Sequence, residues 1–288
     1  MVNKEELFPI GIGTWKIDYE NFNNDIDSLI YSYDKGQNYL SLYMLYNNGE
    51  VVKQMKYFID KVGRENLFIN VNLEPTIEKI EDVESQLNEY LEILNIEYVD
   101  SLQIHGYFVS KLPLVQVYEE IKRLVEVGKV RYIGISNVNL EQLIEVNNIT
   151  KIDFFEGVYN LECKIYEDNK VLKYCKENGI KFICYQALRR NRTAKRNYPI
   201  LQELSKKYDK TQNQIILNWI IKEKNINPLI KSTNISRIDE NINSLYFEME
   251  KEDYKKLNEF RSKEFDNVQI DWCCKGGITI DQLANQFE

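Results

Sequence analysis

Eight short apolar runs alternate with helical stretches along this chain, and that alternation leaves few folds open. Short apolar runs bounded by turn residues read as buried strands, and apolar residues spaced by three and four read as one face of a helix. The strands are predicted at Ile10–Trp15, Tyr39–Leu40, Leu67–Asn72, Val99–Ile104, Val130–Ile135, Phe154–Tyr159, Lys181–Tyr185 and Ile226–Ile230. Helices are predicted between them at Asn24–Lys35, Glu50–Lys61, Ile77–Leu94, Val115–Val125, Leu140–Val146, Asn169–Glu177, Ile200–Lys207 and Gln212–Lys222. Ile235–Leu245 and Lys251–Arg261 follow the last strand. Gly36, Gly63, Gly128 and Gly179 stand where helices should stop. This pattern over 288 residues predicts an α/β fold, a (β/α)8 TIM barrel. The rival, an open doubly wound sheet, normally places a G-x-G-x-x-G turn after its first strand. Gly11-Ile12-Gly13 lies too early and lacks the third glycine. With no linker, repeat or low-complexity segment, residues 1–288 are expected to form one domain.

Composition narrows the partners. A net charge of −8 argues against nucleic acid or an anionic membrane surface as the main partner. The one histidine, His105, excludes sites that need two, common zinc sites among them. Five cysteines show no metal-ligand spacing, so no metal is expected. Their odd number, with no apolar run of signal length in MVNKEELFPI, suits a reducing, cytoplasmic setting. Cys273 and Cys274 are adjacent, an awkward geometry for a disulfide, and read as plain thiols.

In an alternating barrel, chemistry gathers where strands end and loops open. Gly36 to Glu50, GQNYLSLYMLYNNGE, is such a strand end. GIGTW (Gly11–Trp15), QIHG (Gln103–Gly106), GKVRYIGISNVNLEQL (Gly128–Leu143), YNLE (Tyr159–Glu162) and KSTNISRIDEN (Lys231–Asn241) complete the set. Together, in this order and spacing, the six stretches resemble the aldo-keto reductases over nearly the whole chain. That resemblance implies a barrel binding NADP(H) across the strand C-termini and reducing carbonyls by hydride transfer. A tyrosine there supplies the proton, assisted by a lysine, an aspartate and a histidine. Tyr46 and His105 stand at two of these positions, whereas Ser41 holds the aspartate position and Asn72 the lysine position. Losing one partner would strand a buried charge at a cost of about 3–5 kcal/mol, and losing both leaves a neutral site. Tyr46 is then expected to stay near an ordinary phenol, about 10, able to donate a proton but a poor base.

The resemblance treats the cofactor differently. Lys231, Ser232, Thr233, Arg237, Glu240 and Asn241 match positions used on the adenosine 2′-phosphate and adenine. A lysine and a planar arginine fork suit a phosphate. Ser136 and Asn137 match the pair on the nicotinamide carboxamide, and Tyr185 the ring that stacks on it. Thr14 and Trp15 join this set from the first motif. Glu156 stands where glutamine is usual, and Gln186 where serine is usual.

Plainer readings stand beside these. A lone histidine closing an apolar strand is often a satisfied core residue. Tyr39, Tyr43 and Tyr46 can be an aromatic wall, and Lys231 with Arg237 a solvated face. The loop Arg189–Arg196 carries five positive charges in an acidic chain, to close over a pyrophosphate or to meet an anionic substrate or protein partner. Trp272 is read from the resemblance as a pocket residue. The expected activity is an NADP(H)-dependent oxidoreductase with an altered proton-donor site, acting on a small or activated acceptor such as an iminium, a quinone-like compound or an activated C=C. The alternatives are an inactive nucleotide-binding pseudoenzyme or partner subunit, and a non-redox acid–base enzyme using Tyr46 and His105.

Overall fold

Parallel strands β1 (Gly11–Gly13), β2 (Tyr39–Tyr43), β3 (Phe68–Leu73), β4 (Val99–Ile104), β5 (Val130–Ser136), β6 (Phe154–Val158), β7 (Lys181–Tyr185) and β8 (Asn227–Ile230) close into a barrel in sequence order. β1 pairs with both β2 and β8, which removes the sheet edges. The computed structural model describes residues 1–15, 17, 22–75, 77–105 and 112–262; Gly106, Trp272, Cys273 and Cys274 lie outside them.

Helices α1 (Phe22–Asp34), α2 (Glu50–Val62), α3 (Glu81–Leu94), α4 (Leu114–Glu126) and α5 (Leu140–Ile149) alternate with the first six strands. Next come α6 (Ile165–Asp168), α7 (Val171–Glu177), α8 (Arg192–Lys195), α9 (Pro199–Tyr208), α10 (Gln212–Asn218), α11 (Ile235–Asn243) and α12 (Lys251–Glu259). Strand side chains alternate in direction, so each strand serves two environments. Leu40, Leu42, Ile69 and Val71 join the main core with Val52, Met55 and Phe58 of α2. The residues between them build the barrel interior. Its lower layer is aromatic: Phe68 lies 5.5 Å from Tyr39, 5.6 Å from Tyr132 and 5.2 Å from Phe154, centroid to centroid. Ser41, Asn70, Asn72, Ser101, Gln103 and Glu156 make the interior above it polar, and all are buried.

Several predicted boundaries move for local reasons. β1 ends at Gly13 rather than Trp15. The helix predicted from Ile77 starts at Glu81, because Asp82 Oδ2 accepts from the Glu78 and Lys79 amides (3.0 and 2.8 Å) and holds the preceding turn open. The helix predicted over Asn169–Glu177 starts at Val171, after a short α6 that the spacing did not predict: Lys170 has φ 67°, and Asn169 Oδ1 accepts from the Val171 amide at 3.1 Å. Past α10 the chain widens into a π-helical turn, Trp219–Glu223, whose buried Trp219 donates to Asn258 at 2.8 Å. Buried Lys164 closes the C-terminus of α12. Its Nζ donates to the carbonyls of Leu257, Asn258 and Phe260 at 2.7, 2.9 and 3.0 Å. Among the described residues no helix is long and apolar enough to cross a membrane.

Candidate active site

The floor of the barrel mouth is a run of neutral, hydrogen-bonded side chains. Asn72 Nδ2 donates to Ser41 Oγ at 3.1 Å and to the Leu42 carbonyl at 2.8 Å. Gln103 Nε2 donates to Asn72 Oδ1 at 2.6 Å. Asn70 donates to the same Ser41 hydroxyl at 3.2 Å, and its Oδ1 accepts from Ser101 at 2.6 Å. Gly134 makes room for this: a Cβ there would meet Gln103 Oε1 at 2.6 Å. Gln103 also hydrogen-bonds Glu156. Every member has a partner, as burial of neutral polar groups requires.

Above the floor stand Tyr43, Tyr46 and His105. The Tyr43 ring stacks on His105 with centroids 3.8 Å apart, and Tyr46 meets Tyr43 edge-on at 5.2 Å. Tyr39 is not part of this wall; it points into the lower aromatic layer. Burial pushes the His105 imidazole down to about 4, so the ring is neutral near pH 7, and its Nδ1 is buried without a partner. The expectation that Tyr46 remains an ordinary phenol does not hold. Burial and then the Glu156 carboxyl push its hydroxyl well above the usual range. Tyr90 of α3 positions this corner, donating to the Asn72 carbonyl at 2.7 Å while accepting from the Met44 amide at 2.5 Å.

The opposite wall comes from β5, β6 and β7. Ser136 lies beside Glu156 in the β5–β6 register, and the Asn137 amide donates to the Glu156 carbonyl at 3.1 Å. Asn137 takes the left-handed conformation (φ 52°), which asparagine tolerates better than most residues. Its Nδ2 donates to Ser136 Oγ at 2.8 Å, and its Oδ1 accepts from Tyr185 at 2.7 Å and Tyr166 at 3.2 Å. Gly157 admits Tyr166, since a Cβ would meet that ring at 2.5 Å. Glu156 is 4% exposed, and burial raises its carboxyl to about 7. Its Oε2 has no hydrogen-bond partner.

At the rim, Lys231, Ser232 and Thr233 follow β8 and lead into α11, whose first turn carries Arg237. Asn234 caps that helix, accepting from the Arg237 amide at 3.0 Å. A pocket between α1, β1 and α11 is lined by Gly13, Lys231, Ser232, Thr233 and Asn241. Glu240 faces partly away, accepting from Thr211 at 2.6 Å. Thr14 is buried and its hydroxyl is spent on the Ser41 carbonyl at 2.7 Å, which leaves Trp15 as the side chain of that pair at the mouth.

The basic loop is ordered by internal partners. Buried Glu162 pairs with Arg189, and with Arg196 at 3.4 Å, and accepts from Tyr198 at 3.0 Å. Arg190 lies over the Trp15 ring at 4.0 Å, so the loop after β7 reaches the loop after β1. Two of its five charges are therefore engaged by Glu162 rather than offered to a partner. Arg189, Arg190 and Asn191 all take left-handed φ (47°, 55° and 66°).

Sequence reasoning placed Tyr43 in an aromatic wall but left Tyr90, Gln103 and Tyr166 without roles. For Gln103 the signal was available: Ser101 and Gln103 alternate with Leu102 and Ile104, and polar residues at every second place of a strand mark a polar interior.

The aldo/keto reductase family model matches residues 9–262. Aldo-keto reductase family 1 member C18 of Rattus norvegicus is 27% identical over 280 residues, covering 86% of this chain and 86% of that protein. A thermostable aldo-keto reductase solved with the inhibitor epalrestat superposes with a TM-score of 0.82 at 27% identity, covering 89% of this chain and 96% of the other. An aldo-keto reductase of Klebsiella pneumoniae solved with NADPH has a TM-score of 0.79 at 19% identity, over 88% of this chain and 90% of that one, a likeness of fold. The closed eight-stranded barrel and the match over residues 9–262 agree: this chain belongs to the aldo/keto reductase family.

Proposed function

We propose that the protein is an NADP(H)-dependent oxidoreductase whose proton-donor site keeps Tyr46 and His105 and replaces the usual aspartate and lysine with Ser41 and Asn72. One observation supports this reading: Glu156, in register with Ser136, lies close enough to Tyr46 to raise its hydroxyl, above a neutral floor in which Ser41, Asn72 and Gln103 are hydrogen-bonded to one another. The donor set fits a dinucleotide phosphate. An unpartnered buried carboxyl oxygen of Glu156 lies beside Ser136 and Asn137 at one end; at the other, Lys231, Ser232 and Thr233 line a pocket, and Arg237 lies in the first turn of the helix that follows. The family's solved relatives include a protein in complex with NADPH, which supports the same choice.

When bound, NADPH supplies a hydride. The chain's own residues determine which acceptors can use it. Asn137, held by Tyr166 and Tyr185, presents a rigid amide beside Ser136. Tyr46 holds its proton tightly, because burial disfavours the phenolate and no ammonium stands at position 72. It donates a hydrogen bond and parts with its proton reluctantly. His105 remains neutral and positions an oxygen. Such a site favours acceptors that need little proton help, such as an iminium, a quinone-like compound or an activated C=C. A binding-only reading rests on the same raised Tyr46 hydroxyl.

Titration with NADPH, read by cofactor fluorescence and protein quenching, followed by a reactive aldehyde and then an activated alkene, separates these readings. Binding with oxidation by the alkene but slow aldehyde reduction is the expected outcome. Binding with no oxidation by any acceptor, together with aldehyde reduction gained in Ser41→Asp with Asn72→Lys, would establish the binding-only reading. Turnover without NADPH oxidation would point to acid–base chemistry instead.

A further inference from the structure

We propose that Glu156 is a protonation switch on the redox preference of the bound cofactor: the neutral acid holds the carboxamide of the reduced, uncharged nicotinamide, and the carboxylate favours the oxidised, positively charged ring. The proposal rests on the cofactor reading above and adds to it a role for a residue that departs from the family's usual glutamine.

The geometry is that of a carboxyl built into a neutral wall. Glu156 pairs in register with Ser136, and its carbonyl accepts from the Asn137 amide, which places it with the two residues read as carboxamide partners. Its side chain is buried; Gln103 is its hydrogen-bond partner, and Oε2 has none. Glutamine offers an NH2 donor group and a carbonyl acceptor. A protonated glutamate likewise offers a donor beside an acceptor, an O–H and a carbonyl, whereas a carboxylate only accepts. The neutral form therefore reproduces the usual recognition of an amide. The ionised form loses a donor and places a negative charge in a poorly solvated wall, where a cationic ring is its best compensation.

The surroundings leave Glu156 as the group that changes charge. The titratable groups that interact with it are Tyr39 and Tyr46, from β2 and the turn after it, and Cys184 of β7; burial keeps all three neutral. Ser136 on β5, Asn72 on β3 and Gln103 on β4 do not titrate. Among the described residues no cation offsets the carboxyl, which burial raises to about 7, so its charge changes near neutrality.

Equilibrium binding tests this without turnover. NADPH is titrated into the intact protein by fluorescence, and NADP+ by displacement of NADPH, from about pH 6 to about pH 8. The adenosine phosphate ionises in both forms of the cofactor, so the ratio of the two dissociation constants cancels it. The expected result is that Kd for NADPH over Kd for NADP+ rises about tenfold across that range, and that Glu156→Gln flattens the rise. A flat ratio in the unaltered protein overturns the proposal whatever the variant does. An equal slope in both proteins overturns it too, by assigning the titration elsewhere. Absence of quenching and displacement at every pH in both proteins would instead remove the cofactor reading and this proposal with it.

Discussion

Single side chains at the barrel centre carry opposite proton demands, and this gives the protein a measurable pH signature. Glu156, raised from 4.5 to about 7, keeps a proton in the folded state that the unfolded chain releases, so its stabilising contribution is lost as pH rises through about 7. His105, lowered from 6.5 to about 4, stays neutral when folded, so stability is lost as pH falls from 6.5 through about 4. Between 4.5 and 6.5 the two slopes oppose each other. Replacing Glu156 by Gln removes one of them. Urea unfolding across that window should show the variant gaining stability over the unaltered protein by up to about 1.4 kcal/mol per pH unit as pH rises. A constant offset between the two curves would mean that Glu156 does not titrate there. Gly134 supports a second prediction at this scale. Gly134→Ala drives a methyl into Gln103 and should cost about 1–3 kcal/mol in unfolding free energy. The variant should also lose the exchange protection of the Asn72 side-chain amide.

Among elements, helix α12 depends on a residue far from it in sequence. Lys164 closes three of its terminal carbonyls, so Lys164→Met should lower stability by about 1–3 kcal/mol and speed amide exchange in α12 before the rest of the barrel. Exchange that accelerates uniformly would argue against a local clasp. The same scale shows how far sequence pattern reaches. Strand and helix alternation is a statement about apolar spacing, and all eight strands formed where the spacing placed them. What spacing misses is set by one side chain bonding to nearby backbone. Asp82 delays α3, Asn169 and Lys170 divide α6 from α7, and Trp219 sits in a π-turn. The strand-borne candidate residues were legible for a related reason: Ser41, Asn72 and Ser136 lie in β2, β3 and β5, and His105 and Asn137 directly follow strands, so register fixes where they stand, whereas Tyr46 lies in the turn after β2. Tyr90 and Tyr166 were not legible, because they reach the site from helices by long side chains. The rise of Tyr46 was invisible because it depends on burial and on Glu156 across the barrel.

For the molecule as a whole, the loop after β7 ties one side of the barrel mouth to the other. Glu162 holds its base, and Arg190 over Trp15 holds its tip. Glu162→Gln leaves two arginines without their countercharge and should cost about 3 kcal/mol. Limited proteolysis should then cut first within Arg189–Arg196, and unchanged cleavage would show that the loop is held by other contacts. The neutral floor has a whole-barrel consequence of its own. The Leu42 carbonyl can only accept, so it decides which end of the Asn72 amide is nitrogen; Asn72 Oδ1 in turn decides the orientation of Gln103. The amide dipoles are thereby aligned head to tail across the barrel, with their positive ends toward Ser41. Across its centre the barrel carries a fixed polarity, weaker than a charge, insensitive to pH, and reversible only if every amide turns at once.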